Sequence, residues 1–185
     1  MDPHHLLVKI VKILNSLKIP YLVTGGVAIY VWGRPRFTAD IDLVVELQEK
    51  DVKKLVQTLI KEGYVDEDAV REAITNQGEF NFIDQEEGIK VDFWILKKDE
   101  FDKSKFKRRI AKKVLNQNIY FISPEDLILV KLLWFKESRS FRHLEDILSI
   151  LQMLGKKVNF GYLREWAKKQ NTLGVLEEQI ALVSR

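Results

Sequence analysis

The 185-residue chain predicts an α/β (α+β) fold, a small mixed β-sheet core with helices followed by a helical C-terminal part. Three observations predict it. Short apolar runs flanked by Gly, Pro and acidic turns alternate with helix-period segments as far as about residue 120. From residue 121 the pattern is helical throughout. A hydrophobic share of 46% suffices for a core. The expected division is therefore a core over 1–120 and a helical subdomain over 121–185.

The elements follow in order. Leu6, Leu7, Ile10, Val11, Ile13, Leu14 and Leu17 make a helical stripe that ends before Pro20. A short strand over 21–23 turns at Gly25-Gly26 into a helix over 27–32, which Gly33 and Pro35 break. A strand is expected over 37–45. An amphipathic helix over 51–62 follows, with Val52, Leu55, Val56, Leu59 and Ile60 inward and Gly63 as its stop. A polar helix over 66–75 precedes two strands, 80–83 and 89–96, joined at Glu86-Glu87-Gly88. The segment 97–118 turns basic, with Lys103, Lys105, Lys107, Arg108, Arg109, Lys112 and Lys113 close together. It is expected to be a solvated helix or, alternatively, an RNA-binding face. A last strand covers 119–122. Ser123-Pro124-Glu125-Asp126 then opens a helix, with Ser as cap, Pro at the first position and acids in the first turn. Helices are expected over 125–136, 143–154, 160–169 and 173–183.

Composition narrows the function classes. The net charge of +3 is too mild to demand a nucleic-acid partner. The absence of cysteine removes disulfides, thiolate metal sites and a cysteine nucleophile, and suits a reducing cytoplasm. Asp2 and the lysines within the first apolar run argue against a signal peptide, and no apolar run approaches the roughly 20 residues that cross a bilayer. A cytoplasmic protein with no membrane partner is the expectation.

The chemistry concentrates in Thr24 to Val45. In an extended segment, Arg36, Thr38, Asp40 and Asp42 share one face, and Phe37, Ala39, Ile41 and Leu43 the other. Two carboxylates roughly 7 Å apart along a strand repel each other, and a divalent cation relieves that repulsion. Asp92 stands alone as a charge in Val91-Asp92-Phe93-Trp94-Ile95, where a lone carboxylate needs a partner or a metal, so it is the third candidate ligand. Gly25-Gly26 between strand and helix lets backbone approach a phosphate at a helix N-terminus. Three carboxylates and a phosphate-accepting turn are the parts of a two-metal phosphoryl-transfer site.

These residues carry a resemblance. Thr24-Gly25-Gly26, Asp40-Ile41-Asp42-Leu43 and Val91-Asp92-Phe93 resemble the nucleotidyltransferase superfamily that shares its fold with DNA polymerase β, with Thr24 where a hydrophobic residue is usual. Gly-Gly-x-Ala, then Gly33 and Arg36-x-Thr38-x-Asp40-x-Asp42, is similar to the AbiEii-type toxins and related bacterial and archaeal nucleotidyltransferases. The resemblance implies an NTP co-substrate with its phosphates at Gly25 and Gly26. It also implies two Mg²⁺ ions on Asp40 and Asp42, with Asp92 as ligand and base. Arg36 would meet a phosphate, its alternative being a salt bridge to an aspartate, and Thr38 would orient the loop.

Lys131 is the only polar residue between Leu127 and Phe135, so its ammonium needs either a carboxylate or a nucleotide phosphate. Relatives place a lysine on a similar helix in contact with the nucleotide. In Arg142-His143-Leu144-Glu145-Asp146, His143 stands where those relatives have an aspartate, and Asp146 could pair with Lys131 or Arg142. The implied activity is transfer of an NMP from an NTP to an acceptor hydroxyl on RNA such as tRNA, or on protein. The chain would then be the toxin of a pair with an antitoxin partner. The alternatives are an inactive nucleotide-binding or partner-binding module and a small-molecule (antibiotic) nucleotidyltransferase.

Overall fold

A computed structural model describes residues 3–183, which fall into two compact units. The first comprises 3–27 and 37–122, and the second 28–36 and 123–183. The change to helices falls after Ile122, and the segment 28–36, expected within the core, groups with the C-terminal helices.

The first unit is built on a seven-stranded mixed sheet. Helix α1 (Pro3–Ser16) buries Leu6, Leu7, Ile10, Val11 and Leu14, the stripe that its spacing predicts. Strand β1 (Tyr21–Thr24) is wholly buried, and Gly25 turns it into helix α2 (Gly25–Trp32). Then come β2 (Asp40–Val45), α3 (Glu49–Leu59), β3 (Gly63–Val65), α4 (Glu67–Asn76), β4 (Glu79–Asp84) and β5 (Lys90–Ile95). Helix α5 (Glu100–Lys107) and the hairpin of β6 (Ile110–Val114) and β7 (Gln117–Phe121) complete the unit. The strand order is β3-β4-β5-β2-β1-β7-β6. Strand β2 runs antiparallel to β1 and parallel to β5, and β1 runs parallel to β7.

Register makes the two faces of this sheet different. Val23, Leu43, Phe93 and Phe80 lie side by side across four strands, all nearly inaccessible, and the rings of Phe80 and Phe93 stack at 4.8 Å. One residue along each strand, on the opposite face, the row is Thr24, Asp42, Asp92 and Asn81. An apolar core on one side therefore fixes a polar row on the other, because a one-residue slip would bury the acids.

Two expectations need correction here. Strand β2 begins at Asp40, so the period-two alternation does not reach back to residue 36, and Phe37 is 81% exposed instead of buried. Pro35 lacks the N–H that a ladder needs, and 37–39 make no ladder bonds. The basic segment is not one solvated helix either. Helix α5 is capped by Asp99 and buries Lys105 against Asp102 at 2.7 Å, whereas Lys112 and Lys113 sit on a strand exposed along most of its length. Positive φ at Leu115 and Asn116 closes that hairpin.

In the second unit, α6 (Pro124–Ser138) starts as its sequence predicts. The Ser123 hydroxyl accepts from the Asp126 N–H at 3.1 Å, and Pro124 occupies the first turn. All residues from Pro124 to Leu132 are buried, including three that carry charge, so α6 is this unit's central helix. Each acid of the first turn has a partner. Asp126 accepts from the Tyr162 hydroxyl at 2.7 Å, and Glu125 accepts from the Asn159 N–H at 3.0 Å. Around it stand α7 (Phe141–Leu154), a 3₁₀ turn over Gly155–Lys157, α8 (Phe160–Lys169) and α9 (Leu173–Val183). Among the described residues, no helix is long and apolar enough to cross a membrane.

Candidate active site

Within the first unit, β1, β2 and β5 bring Gly25, Gly26, Thr38, Asp40, Asp42 and Asp92 onto one region of the sheet. Asp42 and Asp92 are register partners on parallel neighbouring strands. Asp40 lies two residues before Asp42, on the same face, and opposite Lys90. Asp92 is only 7% exposed, and its Oδ1 is buried with no hydrogen-bond partner. Its Oδ2 accepts from the Lys90 ammonium at 2.9 Å.

The glycines are shaped to this row. Gly25 adopts φ +65°, a left-handed conformation that an L side chain tolerates poorly, and a Cβ there would fall on the Asp42 carboxylate. A Cβ on Gly26 would fall on the Thr38 hydroxyl. That hydroxyl donates to the Asp40 carbonyl at 3.2 Å, tying the loop to the strand that carries the acids.

Electrostatics mark the region as crowded with negative charge. Glu79, on β4, has its carboxyl held above the ordinary range by loss of solvent around it and then by the charges of Asp92 and Asp42. The Lys90 ammonium is raised above its usual value by the Asp92 hydrogen bond first, with Asp92, Asp40 and Glu79 adding their fields. Thr24, opposite Asp42, keeps a buried hydroxyl without a hydrogen-bond partner. Thr24, Glu79 and Lys90 were not singled out as functional in the sequence. Strand alternation before Asp92 was the signal for Lys90, whereas Thr24 needed the β1–β2 register and Glu79 the β4–β5 register.

The second unit holds the other two candidates. Arg36 Nε and Nη2 donate to the two oxygens of Asp146 at 2.6 and 2.8 Å, a bidentate pair. Lys131, 2% exposed, places its ammonium 2.8 Å from Asp146 Oδ2 and 4.9 Å from the Trp134 ring. Burial alone would raise the Asp146 carboxyl, but Arg36 and Lys131 outweigh it and hold the group below the ordinary carboxylate range. His143, tilted against Trp134, is pushed down by burial and then by the Lys131 charge. Gly33 packs where a Cβ would meet the Ser149 hydroxyl, which itself accepts from the Arg34 N–H.

The donor set fits hard divalent cations. Three carboxylates offer only oxygen ligands, one of them buried with a lone oxygen, beside a backbone turn with no Cβ in the way. The side chains themselves are not gathered, since no group of three or more His, Cys, Asp or Glu converges to hold an ion among the described residues.

The nucleotidyltransferase AbiEii toxin model, of the type IV toxin–antitoxin system, matches residues 12–178. The chain belongs to the AbiEii nucleotidyltransferase family. It is accordingly a nucleotidyltransferase. No curated protein matches it in sequence. Solved structures share its fold at low identity. An antigenic nucleotidyltransferase-like protein from Paracoccidioides brasiliensis is 20% identical with a TM-score of 0.60, covering 96% of this chain and 87% of that one. The antibiotic-resistance factor ANT(2″)-Ia is 16% identical with a TM-score of 0.61, covering 100% and 97%. The lincosamide antibiotic adenylyltransferase LnuA is 15% identical with a TM-score of 0.52, covering 81% and 98%. The mixed sheet with helices is thus the fold that this chain shares with these solved structures.

Proposed function

We propose that this AbiEii-family enzyme uses Mg²⁺ to move a nucleoside monophosphate from an NTP to a hydroxyl of an RNA acceptor, as the toxin of a type IV pair. The observation that carries the reading is the row of Thr24, Asp42 and Asp92 beside Gly25, with Asp92 Oδ1 buried and unbonded.

Asp40, Asp42 and Asp92 would hold two Mg²⁺ ions, which when bound neutralise the triphosphate and steady the pyrophosphate. The backbone N–H groups at the start of α2 would donate to the nucleotide's phosphate oxygens, and Gly25 and Gly26 would let them come close. Asp92 takes the proton of the acceptor hydroxyl as its oxygen bonds to the α-phosphorus. The α–β bridging bond breaks, and pyrophosphate leaves with that electron pair. Thr38 holds the loop before the acidic strand. Arg36 and Lys131 both pair with Asp146, and this gathering of two cations supports a phosphate-facing role for the pair.

The hairpin supports RNA as acceptor. Strand β6 presents Lys112 and Lys113 to solvent, next to Lys107, Arg108 and Arg109, a cationic ribbon suited to a phosphate backbone. The family's toxin–antitoxin membership supports an antitoxin as protein partner. A small-molecule acceptor is the second reading, favoured by the fold shared with ANT(2″)-Ia and LnuA.

The test is incubation with each α-³²P-labelled NTP, Mg²⁺, and total cellular RNA and protein, followed by gel separation. The expected result is label in RNA that disappears with Asp42→Asn. Label in a protein band would replace RNA by a protein acceptor. Nucleotide binding with no macromolecular label would move the reading to a small molecule or to an inactive module.

A further inference from the structure

We propose that Lys90 is the resident counter-ion of the carboxylate row, and that a divalent cation must displace its ammonium from Asp92 in order to bind. The proposal rests on the reading above that these carboxylates hold metal, and its test separates the two.

The argument starts from what the row lacks. Asp42 and Asp92 face the same side on adjacent strands, Asp40 lies two residues away, and Glu79 adds a fourth carboxyl whose field reaches Asp92 and Asp42. Four acids in one region need positive charge to fold there. Lys90 supplies it, its ammonium 2.9 Å from Asp92 Oδ2 and in the fields of Asp40 and Glu79. Its contact with Asp92 places a positive charge on the row.

Two features make this contact exchangeable. Lys90 is the first residue of β5, and its side chain is 42% exposed, so its flexible stem can return the ammonium to water with little loss of packing. Asp92 is by contrast 7% exposed, and its Oδ1 is left without a partner, so the carboxylate stays in place and is the better ligand once the ammonium leaves. A doubly charged ion held by these carboxylates would repel a neighbouring ammonium and attract the carboxylates more strongly than one charge does. Lys90 is therefore a positioning residue. It keeps Asp92 poised without metal and sets how tightly metal binds.

The test is titration of the whole chain with Mn²⁺, reading free Mn²⁺ by electron paramagnetic resonance, with ion-free thermal unfolding alongside. Lys90→Met should bind Mn²⁺ about fivefold more tightly than wild type, the scale of one part-exposed ion pair. It should also melt lower without metal and gain more from Mn²⁺. Lys90→Arg, which keeps the charge, should stay within about twofold of wild type. A purely structural lysine would lower stability without tightening metal. Unchanged or weaker Mn²⁺ binding by Lys90→Met, with binding by wild type still abolished in Asp42→Asn, overturns the counter-ion role and leaves the metal site standing. Wild type that binds no Mn²⁺ overturns the metal reading itself. If Lys90→Met does not fold without metal, Lys90→Gln decides by the same comparison. Recovery of Lys90→Met on refolding with Mn²⁺, but not with a chelator in its place, is the expected result in its extreme form.

Discussion

The two units solve opposite charge problems. On the sheet, a row of carboxylates meets the Lys90 ammonium, which pairs with Asp92 from a side chain 42% exposed. Among the helices, two cations share one carboxylate, and Asp146 and Lys131 are both about 3% exposed. The difference lies in accessibility. A pair at the surface exchanges its partner for an ion with little loss, whereas a pair sealed among side chains leaves an uncompensated charge when broken. The Lys90–Asp92 pair is thus open to solvent at one end, and the Lys131–Asp146 pair is sealed at both.

The largest effect should come from the row. Asp42→Asn should reduce label transfer by roughly 10³-fold, the scale of losing one preorganised charge-stabilising group, with its denaturant midpoint near that of wild type. A fall in stability instead of activity would erase the contrast between the units. Asp146→Asn should do the reverse, lowering unfolding free energy by about 3–5 kcal/mol in urea because it removes the buried carboxylate that both Lys131 and Arg36 pair with. Adding Lys131→Met should recover part of that loss, and a double-mutant cycle reads the coupling. Gly25→Ala should cost more than about 1 kcal/mol, since φ +65° is strained for alanine and its Cβ meets Asp42. Chemical denaturation measures that, and a parallel loss of transfer would sharpen the link between turn and carboxylate.

The smallest effects are in pH. His143 has its folded value pushed below the unfolded one, so the unfolded chain takes up a proton first. Stability should therefore fall as pH drops below about 6.5 and level off beneath the lowered folded value, and His143→Phe should flatten that part of the profile. Asp146 has its folded value depressed, so its stabilisation is complete above about 3.9 and is lost as pH falls through the lowered value. Thermal melts across pH 3 to 8 resolve the two.

How much was legible depended on whether the cause was local. Helix α6 announced itself through Ser123-Pro124 and its acids, and α3 through its apolar stripe. Strand β3, three residues long, left no pattern to read, and β6 was hidden because Lys112 and Lys113 look the same on a helix or an exposed strand. The start of β2 was misjudged because alternation continued through 36–39 although the ladder did not.

By itself, then, the amino-acid sequence determined that Asp40, Asp42 and Asp92 stand on strands beside a glycine turn, since period-two alternation and glycine's missing Cβ act within a few residues. Only the tertiary structure decided the counter-charges. Arg36 meets Asp146 across 110 positions, Lys131 joins them, and Lys90 turns to Asp92 within one strand while Glu79 arrives from the next. Electrostatic partners are chosen by distance in space and by exclusion of water, and neither quantity exists until the strands are in register and the helices have packed.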